Sequence, residues 1–180
     1  MILLKDILCM HMLKLSTPTR KDYKEIVVLV NKADLVYLDI YAQKEAKEVG
    51  VGYLTKEDLI SGEKTKKYFI LKDKNKVLAF ASFRLKNNQT VWISSLYVKV
   101  SQQRKGCGAA LLSAIEDFAV KNKAKVVVLE TEKKATWAVN FYLKNGYKKL
   151  SVRSFAKFPF DKVIDRKPAP NQYIMGKVVG

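Results

Sequence analysis

The sequence contains very little histidine and cysteine, which argues against several kinds of site. His11 is the only histidine in 180 residues, and Cys9 and Cys107 are the only cysteines. Two cysteines do not make a disulfide framework, and nothing in the chain has the spacing of a metal-ligand set. The pattern therefore predicts no metal site and no Ser-His-Asp triad within the domain, and it favours the reducing cytoplasm as the location.

Long apolar runs are also missing. The apolar start of the chain is interrupted at Lys5 and Asp6 and is followed by no small-residue cleavage site, so we do not interpret it as a signal peptide. No stretch of 18 apolar residues occurs, which predicts that nothing spans a membrane. Because Met10 and Met12 follow closely, we interpret 1–11 as an N-terminal extension and 12–180 as a single domain.

Arginine is scarce beside lysine. The chain has 5 arginines and 29 lysines against 17 acidic residues, a net charge of +17. Proteins that read base edges or stack on bases usually need more arginine, and these lysines are scattered, so a nucleic-acid partner is disfavoured. Two interpretations stay open, a solvated basic surface and a field that attracts an anionic ligand.

The hydrophobic pattern alternates between helical and strand periods along the chain, which predicts an α/β fold. Thr19 and Thr55 begin helices, each with an aspartate three positions later, and Gly50 and Gly62 end helices. An apolar run at 126–129 indicates a strand buried on both faces. The predicted strands are 13–15, 67–71, 76–85, 90–98, 125–130, 147–152 and 173–179; the other predicted helices are 34–49, 106–122 and 133–145.

The segment 99–108 joins a predicted strand to a predicted helix and carries the strongest functional signal. Gly106 and Gly108 allow close backbone approach to a ligand, and a helix N-terminus attracts anions. The segment therefore predicts a pyrophosphate site. A dinucleotide-binding fingerprint is the rival, and Glu130 lies about where its ribose-binding acid would fall. We reject that rival because Leu111 replaces the third glycine and seven residues separate the strand from Gly106.

Two separated motifs resemble the GNAT superfamily of N-acetyltransferases. Gln103-Arg104-Lys105-Gly106-Cys107-Gly108 matches the hallmark [Gln or Arg]-x-x-Gly-x-[Gly or Ala], with Tyr97-Val98 before it. Residues 138–147, Ala-Val-Asn-Phe-Tyr-Leu-Lys-Asn-Gly-Tyr, match the family's downstream pattern. The chain departs from the family at Val100, where a proline is usual, and at Ala135, where an asparagine is frequent.

The resemblance implies a mixed, mostly antiparallel sheet of about 6–7 strands with a splayed central parallel pair, flanked by about four helices. It implies acetyl-CoA as the cofactor and direct attack by a primary amine. The pantetheine arm would bond to the backbone of Leu96, Val98 and Val100. The remaining implied cofactor contacts are Gln103, Arg104, Lys105, Gly106, Cys107, Gly108, Ala109 and Asn140.

The resemblance also implies roles in the chemistry. The Val98 amide would polarise the thioester carbonyl, and Tyr142 would protonate the departing sulfur. Glu130 precedes Tyr142 by twelve residues, a spacing similar to the base and acid of ribosomal-protein N-terminal acetyltransferases. The alternatives are that Tyr142 is a core aromatic and that Glu130 faces solvent at the end of its strand. We interpret Trp92 and Trp137 as core.

The sequence leaves the acceptor open. The resemblance implies that residues 34–62 of this chain line the acceptor side. This segment includes acidic residues that either recognise a cation or solvate helices: Asp34, Asp39, Glu45, Glu48, Glu57 and Asp58. The candidate acceptors are a protein N-terminus, a lysine and a small amine, and a homodimer stays open. Two other functions also remain, an acetyl-CoA-binding regulatory module without turnover and a basic nucleic-acid-binding protein.

Overall fold

A seven-stranded sheet with flanking helices is seen in the computed structural model, which describes residues 13–48, 51–86, 89–151 and 169–180. The predicted extension 1–11, with His11, lies outside the described residues. The strand order is β1-β2-β3-β4-β5-β7-β6. The strands are β1 (Leu13–Ser16), β2 (Lys67–Asp73), β3 (Lys76–Lys86), β4 (Thr90–Val98), β5 (Val126–Glu132), β6 (Lys148–Lys149) and β7 (Gln172–Val178).

Five α-helices lie within the described ranges. They are α1 (Tyr23–Asp34), α2 (Gln43–Glu48), α3 (Lys56–Gly62), α4 (Cys107–Lys121) and α5 (Thr136–Lys144). Strands β4 and β5 are parallel, whereas β1 with β2, β5 with β7, and β6 with β7 are antiparallel. The predicted fold class, a mixed and mostly antiparallel sheet with a parallel pair, is confirmed.

The chain divides into two compact units. The first unit comprises the described residues up to Ser82 together with Ser95–Leu112. Its core joins the apolar face of α1 to β2 and β3, because residues spaced three and four apart on α1 point to one side. The buried core residues are Tyr23, Ile26, Leu29, Val30, Leu59, Tyr68, Ile70, Val77 and Phe80.

The second unit comprises Phe83–Ser94 and the described residues from Ser113 onward. The apolar run of β5 is fully buried from Val126 to Leu129, as expected for a strand covered on both faces. Val126 and Val128 pack with Trp92 and Ile174. The prediction that Trp92 is core is confirmed, whereas the same prediction for Trp137 is wrong, since that side chain is 43% exposed on α5.

Both predicted helix starts are confirmed. Thr55 caps α3, where the Asp58 amide donates to Thr55 Oγ1 at 3.1 Å and the Thr55 amide donates to Asp58 Oδ2 at 2.9 Å. At Thr19 the amide donates to Asp22 Oδ2 at 2.8 Å, while the Asp22 amide donates to the Thr19 carbonyl at 2.9 Å, ahead of a single 3-10 turn that leads into α1. Such bonds satisfy backbone donors that a helix start leaves unpaired, which is why helical structure begins at these two threonines.

The predicted single helix over 34–49 is wrong. The chain forms a 3-10 turn at Leu35–Asp39 and then the separate helix α2. Val36, Tyr37, Ile40 and Tyr41 are β-branched or aromatic residues that favour helix weakly. The helix predicted over 133–145 also starts later, at Thr136, because strand pairing is still in place at 132–133: Glu132 lies in β5, and the Lys133 amide donates to the Asn171 carbonyl at 2.8 Å.

Candidate active site

The predicted donor-binding residues before Asn140 lie in the first unit, at the end of β4 and the start of α4. Parallel pairing of β4 with β5 runs from Thr90 opposite Val126 to Ile93 opposite Leu129, and β4 itself continues to Val98. Leu96 and Val98 are half-buried on this second half of the strand, and Val100 is 61% exposed in the 3-10 turn that follows. The Lys99 amide donates to the Leu78 carbonyl at 2.8 Å and anchors the exit from β4.

Left-handed backbone shapes the turn between β4 and α4. Arg104 has φ = 62° and Gly106 has φ = 85°, on either side of Lys105. Glycine adopts such values freely, whereas a residue with a Cβ, such as Arg104, is strained by about 1–2 kcal/mol. Successive changes of backbone hand turn neighbouring N–H groups toward one point and form an anion-binding concavity. The strain at Arg104 is therefore located where the sequence predicts a phosphate.

The start of α4 adds further donors to this turn. The Ala110 amide donates to the Gly106 carbonyl at 3.0 Å, which opens the hydrogen-bond ladder of the helix. The amides of Gly108 and Ala109 precede that bond, and the first amides of a helix have no intrahelical acceptor. Arg104, Lys105 and Gly106 are exposed, so an anion reaches this end of the helix from solvent. The residues present therefore fit the pyrophosphate of coenzyme A.

Two side chains of the motif have structural contacts. Gln103 Nε2 donates to the Val98 carbonyl at 3.4 Å, which connects the turn back to the end of β4. Cys107 is only 3% exposed at the first position of α4. Its predicted contact with the cofactor would thus come from its backbone, and its buried thiol is poorly placed for a covalent role.

Tyr142 lies in the second unit on the core face of α5 and is 8% exposed. Its ring packs edge-on against Phe141 and Tyr147, with ring centroids 5.2 and 5.7 Å away. The chain turns back directly after the helix, where the Tyr147 amide donates to the Tyr142 carbonyl at 3.1 Å. The aromatic neighbours fix the ring and leave the phenol oxygen as the polar end of a buried side chain.

Glu130 is half-buried on β5, opposite Ile174 on β7. The prediction that it ends its strand is wrong, because β5 continues to Glu132. Glu132 is the last residue of the strand. Its two carboxylate oxygens accept hydrogen bonds from Asn171 Nδ2 at 2.8 Å and Gln172 Nε2 at 2.7 Å. These contacts hold the start of β7 against the end of β5 and so fix the strand on which Glu130 lies.

Asn140 is exposed on α5, two positions before Tyr142. It lies on a different face of the helix from the buried Val139 and Tyr142, because successive helical residues are rotated by about 100°. It is thus accessible to a ligand, as a cofactor contact requires. The second unit therefore contains Glu130, Asn140 and Tyr142, and the first unit contains the other predicted site residues.

Sequence reasoning missed the structural role of Asp34. Its carboxylate accepts one hydrogen bond from the Gly52 amide and one from the Tyr97 hydroxyl, both at 2.8 Å. The carboxylate of Asp58 is likewise occupied, since it accepts from the amide and the hydroxyl of Thr55, the cap of α3. Of the acidic residues suggested to recognise a cation, these two instead hold the first unit together. The position of Asp34 at the last turn of a helix is a weak signal that could not have revealed these partners.

The sequence profile of the Acetyltransferase (GNAT) family matches residues 35–147, well over half of the chain. This chain belongs to the GNAT acetyltransferase family. The matched region contains every catalytic and cofactor-binding residue predicted above. Membership confirms the resemblance from which the site residues were inferred, while the role of each residue stays a prediction.

Known relatives agree with this assignment. An uncharacterised N-acetyltransferase of Bacillus subtilis, YhfO, is 40% identical over 55 residues, which are 31% of this GNAT chain and only 37% of that relative. The PaiA N-acetyltransferase of Thermoplasma acidophilum, solved with coenzyme A, superposes with a TM-score of 0.73 at 17% identity, over 92% of this chain and 98% of that one.

A second solved structure, the ribosomal-protein-S18-alanine N-acetyltransferase of Escherichia coli, superposes with a TM-score of 0.66 at 17% identity, over 93% of this chain and 94% of that one. At such identities the superpositions show a shared GNAT fold. The expectation of coenzyme A as cofactor agrees with the family and with the coenzyme A held by the Thermoplasma protein. None of the helices in the described part of the chain has the length and apolar content of a membrane-spanning segment.

Proposed function

We propose that this GNAT protein transfers an acetyl group from acetyl-CoA to a primary amine. The observation that carries the proposal is the left-handed backbone at Arg104 and Gly106 directly ahead of α4. In a chain of an acetyltransferase family, such backbone at a helix N-terminus supports an anion cradle at this turn. A cradle made of backbone groups suits a pyrophosphate, which offers many acceptor oxygens and no shape that needs a particular side chain.

Donor binding in this proposal uses the backbone of one continuous segment. The amides from Arg104 to Ala109 would hold the pyrophosphate, and the exposed Arg104 and Lys105 side chains would add positive charge beside it. The backbone of Leu96, Val98 and Val100 would hold the pantetheine arm as an added strand. Acetyl-CoA supplies the acetyl group as a thioester, whose carbonyl the Val98 amide would polarise.

Proton transfer in this proposal uses two residues of the second unit. Tyr142 would donate its phenolic proton to the sulfur that leaves, from a ring held by Phe141 and Tyr147. Glu130 would take a proton from the attacking amine, directly or through one water, since only a neutral amine has the electron pair to attack. Glu130 lies on β5, which is paired along its length with β7, and this pairing holds the backbone that carries the carboxylate in place.

The acceptor in this proposal is a primary amine: a protein N-terminus, a lysine side chain or a small amine. The Escherichia coli neighbour is named as an N-acetyltransferase of an alanine in a ribosomal protein, and alanine has no side-chain amine. That likeness supports inclusion of protein N-termini among the amines to be assayed. It rests on a shared fold, so the assay has to include lysine peptides and small amines on equal terms.

The experiment that tests the proposal compares Arg104→Gly with Arg104→Val. Glycine keeps the left-handed backbone and loses only the charge, whereas a β-branched residue resists that conformation. Saturating coenzyme A should raise the melting temperature of the wild type by roughly 5–10 °C. Arg104→Gly should keep most of this shift and Arg104→Val should lose most of it, as followed by thermal denaturation.

Controls separate the proposal from its rivals. NAD should give no shift, and a shift with NAD but none with coenzyme A would favour the dinucleotide interpretation. The acetyl transfer itself is measured as free thiol released from acetyl-CoA across the amine panel. Tight coenzyme A binding without thiol release on any amine would replace the enzyme with the regulatory module.

A further inference from the structure

One segment of the chain has a charge opposite to that of the rest. Residues 34–63 contain seven acidic and three basic residues, a net charge of −4. The remainder contains ten acidic and 31 basic residues, a net charge of +21. A lysine-rich composition would spread basic residues through this segment as well. The local reversal therefore needs an explanation in the structure.

Part of the acidic excess stabilises the fold. The carboxylates of Asp34 and Asp58 accept from backbone amides, and Glu63 accepts hydrogen bonds from the Arg20 guanidinium at 3.1 Å and the Tyr23 hydroxyl at 2.7 Å. Asp39, Glu48 and Glu57 are exposed instead. Structural needs thus account for some of the carboxylates and leave others facing solvent, where they attract cations.

Exposed apolar side chains lie in the same segment. In the 3-10 turn ahead of Asp39, Leu35 is 52% exposed, Val36 39% and Leu38 49%, and Tyr53 is 63% exposed. The turn and the loop meet, because Leu35 Cδ2 lies 3.6 Å from where a Cβ on Gly52 would stand. We call Leu35, Val36, Leu38, Asp39 and Tyr53 the acidic apolar surface. Clustered exposed apolar residues of this kind are typical of interaction sites.

Hydrogen bonds from α1 hold the loop that carries Tyr53, one part of the acidic apolar surface. Asn31 bonds to both backbone groups of Leu54, donating to its carbonyl at 3.0 Å and accepting from its amide at 2.9 Å. One turn later, Asp34 accepts from the Gly52 amide. The loop that carries Tyr53 is thus fixed on both sides, as a binding surface requires if it is not to spend free energy on ordering itself.

The same carboxylate ties this surface to the donor strand. Asp34 also accepts from the hydroxyl of Tyr97, the residue directly before Val98 on β4. The surface and the proposed donor-binding end of β4 therefore share one anchor in the first unit. A ligand on the acidic apolar surface would lie on an element that is hydrogen-bonded to the donor strand.

We propose that the acidic apolar surface docks the acceptor, and that the acceptor is a basic polypeptide segment with apolar side chains among its lysines or arginines. This inference rests on the proposed acetyl transfer and names its substrate class. Positive charge complements Asp39 and the neighbouring acids, and apolar side chains cover Leu35, Leu38 and Tyr53. A polyamine has the charge but lacks side chains that would cover four exposed apolar residues.

The test measures peptide binding directly, with the coenzyme A complex of the full chain. The probe is a short peptide that alternates lysine and leucine, with a fluorescent label at its C-terminus so that the terminal amine stays free. Matched probes replace leucine by serine, or lysine by glutamate, and spermidine serves as an unlabelled competitor. Fluorescence anisotropy should show the tightest binding for the lysine–leucine peptide.

Two variants address the two halves of the surface. The double variant Leu35→Ser and Leu38→Ser should weaken binding of the lysine–leucine peptide about tenfold, because interface apolar contacts carry much of the affinity. Asp39→Lys should weaken it about threefold at low salt and less at high salt. The matched controls are Val120→Ser and Asp117→Lys, which change an exposed apolar residue and an exposed acid on α4.

The readouts distinguish this inference from the proposed function. All four variants should keep the affinity of the wild type for coenzyme A, and the two surface variants should raise KM for the peptide with little change in kcat. The docking surface would be overturned if all probes bound equally, or if spermidine displaced the peptide at a charge-matched concentration. It would also be overturned if the α4 controls weakened peptide binding as much as the surface variants. Loss of thiol release on every amine, with peptide binding and its variant pattern intact, would overturn acetyl transfer alone.

Discussion

The two units stabilise their site residues in opposite ways. In the first unit, polar side chains hold backbone, as Asn31 does with Leu54 and Asp34 with Gly52, and the proposed ligand contacts are themselves backbone amides. In the second unit, an apolar strand and edge-on aromatic rings hold the proposed catalytic side chains Glu130 and Tyr142. Binding that uses backbone tolerates side-chain change, whereas proton transfer depends on single atoms.

The largest effect on kcat is expected at Tyr142, where one hydroxyl group would supply the proton. Tyr142→Phe removes the proposed proton donor and keeps the ring that packs against Tyr147. We expect kcat to fall about 10²–10⁴-fold, the usual contribution of general acid catalysis, with little change in coenzyme A affinity. Steady-state kinetics with acetyl-CoA and the best amine, together with a binding titration, measure both quantities.

Tyr147→Phe is the matched control for that variant. Tyr147 is buried in the same aromatic cluster, and burial, with the nearby Glu116 carboxylate, raises the pKa of its phenol far above the usual range. Loss of its hydroxyl should change the melting temperature and leave kcat close to that of the wild type. A similar loss of kcat in both variants would show that the cluster is needed for packing, and wild-type turnover in Tyr142→Phe would remove its role as acid.

A smaller effect is expected at Glu130, because a base can be replaced by a rise in pH. Glu130→Gln should lower kcat at neutral pH by about 10²-fold, the lower end for a general base, and much of the rate should return as the pH rises and free amine accumulates. The pH profile of kcat measures this recovery. Glu132→Gln is the control, since Glu132 holds Asn171 and Gln172 and its loss should lower stability without a change in the shape of the profile.

The smallest effect, a change in melting temperature, is expected for a surface cluster of the first unit that consists of Glu63, Arg20 and Tyr23. Hydrogen bonds from Arg20 and Tyr23 lower the pKa of Glu63 below its usual range. A lowered pKa stabilises the folded state above the unfolded value of about 4.3 and loses this contribution as the pH falls through the folded value. The difference in melting temperature between wild type and Glu63→Gln should be small, constant from pH 6 to 8, and vanish in acid.

Tyr23→Phe provides the companion measurement for this cluster. It removes one of the donors to Glu63 and leaves the Arg20 pair in place. Its pH dependence should have the same sign as that of Glu63→Gln and a smaller size. A melting difference that grows in acid would contradict the assigned direction of the pKa shift.

The sequence was sufficient for features that depend on neighbours along the chain. The helix starts at Thr19 and Thr55, the buried run 126–129 and the strand 90–98 depend on local spacing, and all appear as predicted. The family motifs are equally local, which is why spacing alone could predict a phosphate site at the turn that contains Gly106. Helical periodicity failed at 34–49, where weak helix formers interrupt the pattern.

Features that depend on distant partners could not be predicted. Asp34 is separated from Tyr97 by 63 positions and Glu132 from Asn171 by 39, and no pattern in the sequence joins them. Charge counting left open whether Asp34 recognises a cation or solvates a helix, because its hydrogen-bond partners are not visible in the sequence. The exposure of Trp137 was missed for a related reason, since a large aromatic residue on a helix is buried only if the fold presents a surface to cover it.

The pairing of Asn31 with Leu54 has a consequence for how this protein can diversify. The amide side chain bonds to the main chain of Leu54, so the loop keeps its position above α1 whatever side chain stands at 53. Tyr53, which is exposed, is then free to vary, while Gly52 is kept by its left-handed backbone and Leu54 by its packing against the core. A gene under selection for a new partner could rewrite this one codon without first rebuilding the attachment of the loop.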